Sequence, residues 1–162
     1  MKTIKVQKLT QEAFAKYGVF ADMIHPQGEK FGEAPVEFFR DMVQLKSFHV
    51  NSTSLSVCRV TNRDNVIEVS ESHSYCSEGS LPIDGDIIIH VAPAAAGDVP
   101  EDKIEAFLVP KGTAVILNPG VWHHAGYPFS CDSVNVLTIL PERTYANDCK
   151  VVELKEKIQI EK

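Results

Sequence analysis

Four side chains in two short segments of the sequence carry donor atoms that suit a divalent metal ion. Glu71, His73 and Glu78 follow one another with the spacing Glu-x-His-x4-Glu, and His123 lies in a later Val-Trp-His-His run. Two imidazole nitrogens and two carboxylates suit a first-row ion such as Mn, Fe, Ni or Zn, and they do not discriminate among these metals. The sequence therefore predicts a metal site formed by these four residues.

The spacing also indicates which elements must position these donors. Side chains two residues apart on a strand point to the same side, so Glu71 and His73 can both face the inside of a barrel. Glu78 would return on the next strand after a turn. His123 would come from a strand that is distant in sequence and adjacent in space. Gly85 follows the first segment at a predicted turn.

Most of the chain reads as short strands separated by turns. Turn signals such as Asp84-Gly85 and Pro110-Lys111-Gly112 lie between segments rich in Val, Ile and Leu. A series of this kind is typical of a β-sandwich or a β-barrel. The predicted strands are residues 54–60, 66–70, 86–91, 104–109, 113–117 and 133–140.

The remaining segments predict local features around this β-structure. Thr10 is expected to cap a short helix through Tyr17, with Gly18 as its stop. Residues 21–34 read as a loop, and the Pro93–Asp102 segment reads as a hairpin excursion. The charged tail, residues 153–162, is either a final edge strand or a frayed helix. No internal repeat and no second domain is visible, so residues 1–162 are expected to form one domain.

Composition and charge exclude several classes of protein. With 44% hydrophobic and 23% charged residues, the chain resembles an average globular protein. The formal net charge of −6 argues against a nucleic-acid partner, which requires a basic surface. The longest apolar stretch, residues 87–92, is too short to cross a membrane, and the N-terminus has no apolar leader. Four widely spaced cysteines predict free thiols in a reducing compartment, the cytoplasm.

The metal-binding pattern resembles the two motifs of the cupin superfamily. In those motifs, a His-x-His-x4-Glu-x6-Gly segment and a later Gly-x2-His segment converge on one metal. Glu71 stands at the first His position, and His123 stands at the last ligand position. The resemblance implies an all-β fold, the cupin-type double-stranded β-helix or jelly-roll barrel, with a short N-terminal helix.

Further segments narrow the resemblance to the ureidoglycolate lyase family. They are Leu-Thr-Gln-Glu-Ala-Phe-Ala-Lys-Tyr-Gly at 9–18, Glu-x-His at 71–73, Pro82, Gly85, Val-Trp-His-His at 121–124, Leu-Thr-Ile at 137–139 and Asn-Asp-Cys at 147–149. This resemblance implies a homodimeric enzyme that cleaves ureidoglycolate, a small hydroxy acid, to glyoxylate and urea in purine and allantoin catabolism. The carboxylate and hydroxyl oxygens of the substrate would bind the metal.

The reaction would also require proton transfer and a cation for the anionic substrate. His124 is a candidate acid or base, although on a regular strand it would point away from His123. Arg59 corresponds to an arginine in the family's own strand and is the leading candidate partner for the substrate carboxylate. A salt bridge at the surface is the alternative role of Arg59. Further candidates for substrate binding are Lys111, Arg143, Tyr75 and Trp122.

Two alternatives to the lyase stay open at the level of sequence. One is a different metal-dependent cupin enzyme, such as an isomerase or dioxygenase, and the other is a binding module for a small acid or sugar. Glu78 stands where the family leads one to expect Gln, and residues 21–48 match the family least. No Gly-x-Ser-x-Gly motif or glycine-rich phosphate loop is present, which argues against a serine hydrolase or a nucleotide-binding enzyme.

Overall fold

The computed structural model describes residues 1–48 and 52–162, which form two large β-sheets, a small two-stranded sheet and a few short helices. Helix α1 is Gln11–Phe14, α2 is Thr144–Asn147, and Glu101–Lys103 is a 3-10 helix. The strands are β1 Lys2–Lys8, β2 Gly18–Asp22, β3 Lys30–Phe31, β4 Phe38–Phe39, β5 Thr53–Thr61, β6 Val66–Ser72, β7 Glu78–Pro82, β8 Ile87–Ala92, β9 Glu105–Val109, β10 Thr113–Leu117, β11 Trp122–His123, β12 Tyr127–Pro128, β13 Ser133–Pro141 and β14 Lys150–Glu161.

The larger sheet closes on itself. Its seven strands follow the order β11-β6-β14-β1-β9-β8-β12, and β11 also pairs with β8. The sheet is mixed because β1 runs parallel to both of its neighbours, β14 and β9, whereas the other pairings are antiparallel. The second sheet has five strands in the order β2-β10-β7-β13-β5. The short strand β11 therefore lies between β6 and β8, where its residues meet the end of β6.

Two hydrophobic clusters lie on opposite sides of β8. Ile87, Ile89 and Val91 pack in the cluster between the two sheets, and Ile88 and Ala92 pack in the cluster enclosed by the larger sheet. All six residues of β8 are buried, because the strand has a core on each face. This explains why β8 reads as a continuous apolar run rather than an alternating one. Among the residues described, no helix is long and apolar enough to span a membrane.

All six strands predicted from the sequence occur, and the hairpin expected at 93–102 connects the antiparallel strands β8 and β9. The N-terminal helix is shorter than predicted and has a single turn, although the Thr10 hydroxyl does accept the predicted capping bond from the Ala13 N–H at 3.2 Å. Gly18 was expected to stop this helix, but it begins β2. A Cβ atom at Gly18 would lie 1.8 Å from the Ile116 carbonyl oxygen, so glycine is needed there for close backbone approach.

A further expectation about the edges of the sheets is wrong. The charged tail is strand β14, and it lies between β6 and β1 rather than at an edge. The predicted strand 133–140 lies in β13, which pairs with β7 on one side and β5 on the other. The two edge strands of this five-stranded sheet are β2 and β5. Part of the loop predicted at 21–34 is also strand β3, which pairs with β4.

Tyr17, which follows α1, forms a hydrogen bond with β9 of the larger sheet. Tyr17 is fully buried, and its hydroxyl donates a hydrogen bond to the Glu105 carboxylate. Burial and this carboxylate together raise the pKa of Tyr17 well above its usual range. We expect Tyr17→Phe to lower the free energy of unfolding by about 1.5–3 kcal/mol, the range for hydrogen bonds to charged groups. Urea denaturation measures this change. Tyr145→Phe is the control because Tyr145 is 80% exposed, and equal midpoints for the two variants would contradict the expectation.

Candidate metal centre

The fold brings the four predicted metal ligands together. Glu71 lies near the end of β6 directly opposite His123 of β11, His73 follows β6, and Glu78 begins β7. Glu71, His73 and His123 offer ligand atoms that all lie within 4.8 Å of one another. One carboxylate oxygen of Glu78 lies 3.3 Å from Nε2 of His73 and 3.1 Å from Nε2 of His123. Both imidazoles are 4% exposed, so the cluster is buried.

Backbone carbonyl groups orient both imidazoles in the same way. Nδ1 of His123 lies 2.9 Å from the Val121 carbonyl oxygen, and Nδ1 of His73 lies 2.6 Å from the Asp148 carbonyl oxygen. A carbonyl oxygen only accepts hydrogen bonds, so each Nδ1 carries the hydrogen. Each Nε2 therefore faces the cluster, which is the arrangement found for metal-binding histidines.

The electrostatics of the cluster favour positive charge beside Glu78. If both imidazoles were neutral with hydrogen on Nδ1, the lone pairs of both Nε2 atoms would face the Glu78 carboxylate and repel it. Burial opposes protonation of His123, but Glu78 outweighs burial and raises the pKa of His123. Burial likewise favours a neutral Glu78, but His123 and His73 hold the pKa of this carboxyl far below its usual range. Protons on the imidazoles or a divalent cation would satisfy this demand, so the donor set fits a metal ion.

The corner between α2 and β14 holds the ligand segment in place. The two carboxylate oxygens of Asp148 accept hydrogen bonds from the backbone N–H groups of Ser74 and Tyr75, both at 2.8 Å. The Cys149 thiol donates to the Glu71 carboxylate, with a sulfur–oxygen distance of 3.3 Å. In the sequence, only the family resemblance pointed to residues 147–149. Their contact with the ligands depends on a loop pairing that has no local sequence signal.

We expect Asp148→Ala to weaken metal binding by about 10- to 100-fold, the usual cost of losing a partner that orients a metal ligand. The substitution frees two backbone N–H groups next to His73 and loosens the loop that carries this ligand. Titration against a chromogenic chelator measures the affinity. Asp102→Ala, at an exposed position of the 3-10 helix, is the matched control and should leave the affinity unchanged. Equal affinities of the two variants would contradict the expectation.

A small cavity lies beside the cluster, and a larger space, the vestibule, lies next to it along β5 and β13. The cavity has a volume of about 50 Å³, and the vestibule has a volume of about 410 Å³. Cys58 and Thr138 line both spaces. The polar residues around the cavity are Glu78, Ser80, His123, His124 and Thr138, and those around the vestibule include Ser54, Ser56, Glu142, Arg143 and Tyr145.

His124 lines the same cavity as His123, although alternation on a regular strand would point it away. The reason is that β11 ends at His123, and residues 124–126 leave the strand geometry. Arg63 holds this segment: its guanidinium donates to the carbonyl oxygens of Ala125 and Gly126, at 3.1 and 3.0 Å. Burial lowers the pKa of His124. The sequence contains no short-range signal for this role of Arg63.

The other predicted substrate-binding residues are not brought to the cavity. Arg59 lies between Cys58 and Val60, which line the cavity, and therefore points to the outer face of β5, where its Nε donates to Asn135. Trp122 is 1% exposed and packs in the cluster enclosed by the larger sheet. Lys111 is exposed in the turn before β10, and Tyr75 is 57% exposed beside Asp148.

Comparison with known proteins identifies the family. A family model described as ureidoglycolate lyase matches residues 1–161. The chain belongs to the ureidoglycolate lyase family. A family relative from Burkholderia mallei, named ureidoglycolate lyase, is 33% identical over 133 residues, 76% of this chain and 74% of the relative. One of the same name from Escherichia coli is 26% identical over 159 residues, 94% of this chain and 95% of the relative.

A solved structure supports the fold independently. A dTDP sugar isomerase from Desulfovibrio desulfuricans G20 superposes with a TM-score of 0.53 over 83% of each chain, at 12% identity. At this identity the likeness concerns the fold alone. This likeness of fold agrees with the closed mixed barrel and the two short α-helices of the described residues. The predicted cupin-type all-β fold is therefore confirmed for this member of the lyase family.

Proposed function

We propose that this chain cleaves ureidoglycolate to glyoxylate and urea. Membership of the ureidoglycolate lyase family supports the reaction. The observation that carries the proposal is the convergence of two buried imidazoles on Glu78, with a third imidazole, His124, lining the adjacent cavity. One set of groups can thus hold a metal ion while another group transfers a proton.

Glu71, His73, Glu78 and His123 would hold a divalent ion, for which Mn, Ni, Fe and Zn are candidates. When bound, such an ion acts as a Lewis acid and lowers the pKa of a hydroxyl group that it contacts. The charge of the ion would offset those of Glu71 and Glu78, so that the site could accept the anionic hydroxy-acid end of the substrate. The carbonyl partners of His73 and His123 keep both Nε2 atoms directed into the site.

The reaction needs one proton to move from the C2 hydroxyl group to the departing nitrogen. We assign this transfer to His124, whose lowered pKa favours the neutral base. The O–H electrons form the carbonyl group of glyoxylate, the electrons of the C–N bond stay with the ureido nitrogen, and His124 returns the proton to that nitrogen. Urea leaves, and His124 is neutral again.

The anionic substrate needs a positive charge near the entrance, because the chain carries a net charge of −6. Arg143 lines the vestibule and is exposed, whereas Arg59, the leading sequence candidate for binding the substrate carboxylate, does not line it. The Nε of Arg143 donates to the Glu142 carboxylate at 3.0 Å, and its other guanidinium N–H groups stay available to an anion. We propose that Arg143 draws the substrate into the vestibule and does not take part in bond breaking.

A linked enzymatic assay for urea and glyoxylate tests the function. Freshly prepared ureidoglycolate is given to metal-stripped protein and to the same protein restored with Mn, Ni, Fe or Zn. We expect release of both products in equal amounts, with at least one of the metals. A folded protein that releases neither product with any of these ions would overturn the proposal.

We also propose that the chain forms a single catalytic domain and works as a homodimer in the cytoplasm. The outer face of β5 supports pairing, since Leu55 and Val57 on this edge strand are exposed. Four free thiols, at Cys58, Cys76, Cys131 and Cys149, fit a reducing compartment. Sedimentation equilibrium distinguishes the dimer from a monomer.

A further inference from the structure

Three hydroxyl side chains form a row across neighbouring strands of the five-stranded sheet. Thr138 of β13 lies opposite Ser56 of β5 on one side and opposite Ser80 of β7 on the other. Residues directly opposite in antiparallel strands share a face, with Cβ atoms roughly 4.5–5.5 Å apart. The three hydroxyl groups are therefore neighbours on the inner face of the barrel.

The row contributes side chains to both the cavity and the vestibule. Ser80 and Thr138 line the cavity, and Ser56 and Thr138 line the vestibule. At its inner end the row meets the candidate metal centre, because the Ser80 hydroxyl donates to the Glu78 carboxylate at 3.1 Å. The other oxygen of Glu78 faces His73 and His123. The row therefore extends from the candidate metal centre to the wall of the vestibule.

The neighbouring positions on the same face offer less polar contact. The pair on one side of the row is Cys58 with Val136, and the pair on the other side is Ser54 with Leu140. The three side chains of the row are uncharged, and the Ser80 hydroxyl already donates its hydrogen to the Glu78 carboxylate. The row is thus suited to a neutral group that both donates and accepts hydrogen bonds, because each hydroxyl can do both.

We infer that Ser56, Thr138 and Ser80 bind the ureido group of the substrate and so favour it over a plain hydroxy acid. This inference rests on the proposed function for the identity of the ligand. The ureido group is neutral and offers one carbonyl acceptor and several N–H donors. The Ser80 hydroxyl gives its hydrogen to Glu78 and keeps its lone pairs for an N–H group. The anionic end of the substrate then points away from the row, toward the metal site.

Binding of two partial analogues tests the row without requiring turnover. Hydantoate (N-carbamoylglycine) carries the ureido group and the carboxylate but has no hydroxyl group to deprotonate. Glycolate carries the hydroxyl group and the carboxylate but no ureido group. Titration calorimetry on the Mn-loaded protein should show that Thr138→Val weakens hydantoate binding about tenfold, the effect of one lost hydrogen bond with an unpaired partner. Glycolate binding should change less than about twofold.

Three further variants make this test specific. Thr138→Ser keeps the hydroxyl group and should restore hydantoate binding. Thr61→Val makes the same chemical change at an exposed position on β5, away from the cavity, and should have no effect. If Thr138→Val does not fold, Ser56→Ala replaces it as the test variant. Ser56→Ala should weaken hydantoate binding about threefold.

The outcomes separate this inference from the proposed function. Hydantoate binding that is absent in the wild type, or unchanged in Thr138→Val and Ser56→Ala, would overturn the inference. An equal loss of glycolate binding would also overturn it, because the row would then not distinguish the ureido group. If the predicted pattern appears but the wild type releases no urea from ureidoglycolate with any metal, the proposed function fails and the row stands.

Discussion

Replacing His123 or His73 by alanine should lower kcat for urea release at least about 100-fold, while the fold is retained. Partners that only orient a metal ligand already contribute about 10- to 100-fold, and a ligand itself contributes more. Each substitution removes one of the two Nε2 atoms that lie 3.1 and 3.3 Å from Glu78. The Glu78 carboxylate then keeps a single imidazole partner, and the proposed metal site keeps three of its four ligands.

The measurement combines the product assay with the metal content of each purified variant, determined by mass spectrometry. Circular dichroism shows whether the β-structure is retained. His25→Ala is the matched control because His25 is an exposed histidine paired with Asp22, outside the cavity. It should keep full activity and metal content. Full activity in either folded ligand variant would remove the basis for the metal site.

Acid should destabilise the wild type much more than a His90→Leu variant. His90 is 1% exposed, and within the described part of the chain neither ring nitrogen has a hydrogen-bond partner. Burial foremost, and then the charges of His124, His123 and Arg63, lower the pKa of His90 from 6.5 to about 3. Between these values the unfolded chain binds a proton at this position and the folded chain does not. Falling pH therefore favours unfolding.

The size of the effect follows from proton linkage. Below pH 6.5 the folded state loses about 1.4 kcal/mol for each pH unit through this group, or about 2.7 kcal/mol at pH 4.5. Urea denaturation at pH 7.5 and pH 4.5, followed by the fluorescence of the single tryptophan, Trp122, measures both proteins. His123 has a raised pKa and acts in the opposite direction, since its contribution is lost as pH rises. Both proteins contain His123, so its effect cancels in the difference.

The two proteins should thus differ in the pH dependence of stability rather than only in stability at neutral pH. Leucine suits the position because the same face of β8 contributes Ile88 and Ala92 to a hydrophobic cluster. Parallel loss of stability in wild type and His90→Leu would show that His90 is not the group that titrates. A steeper loss in the variant would contradict the sign of the expected effect.

Strands with a buried face were predictable, and strands that depend on distant partners were not. The Val- and Ile-rich segments that became β5, β8, β10 and β13 carry their pattern within a few residues. By contrast, β11 and β12 have two residues each, and both pair with the edge of β8 that β9 leaves free. Segments this short have no strand pattern of their own in the sequence. β14 contains many charged residues because one of its faces meets solvent, and this hid its central position in the sheet.

The same distinction applies to the site. The spacing of Glu71, His73 and Glu78 reflects local strand geometry, so these residues could be placed together from the sequence. Placing Arg59 and Trp122 required knowing which face of a strand is inside. Trp122 precedes His123 on β11, and consecutive strand residues point to opposite faces, so both cannot face the cavity. The hydroxyl row depends on the register between three strands, which no single segment encodes.

The contact between His73 and Asp148 also has a consequence during synthesis of the chain. The carbonyl group that orients this imidazole is made 75 residues later, a delay of about 4–15 s at ordinary rates of translation. During that time the nascent polypeptide contains His73 but lacks the Asp148 carbonyl group that fixes the orientation of its imidazole. We therefore expect the proposed site to acquire its ion only after residue 148 has been made.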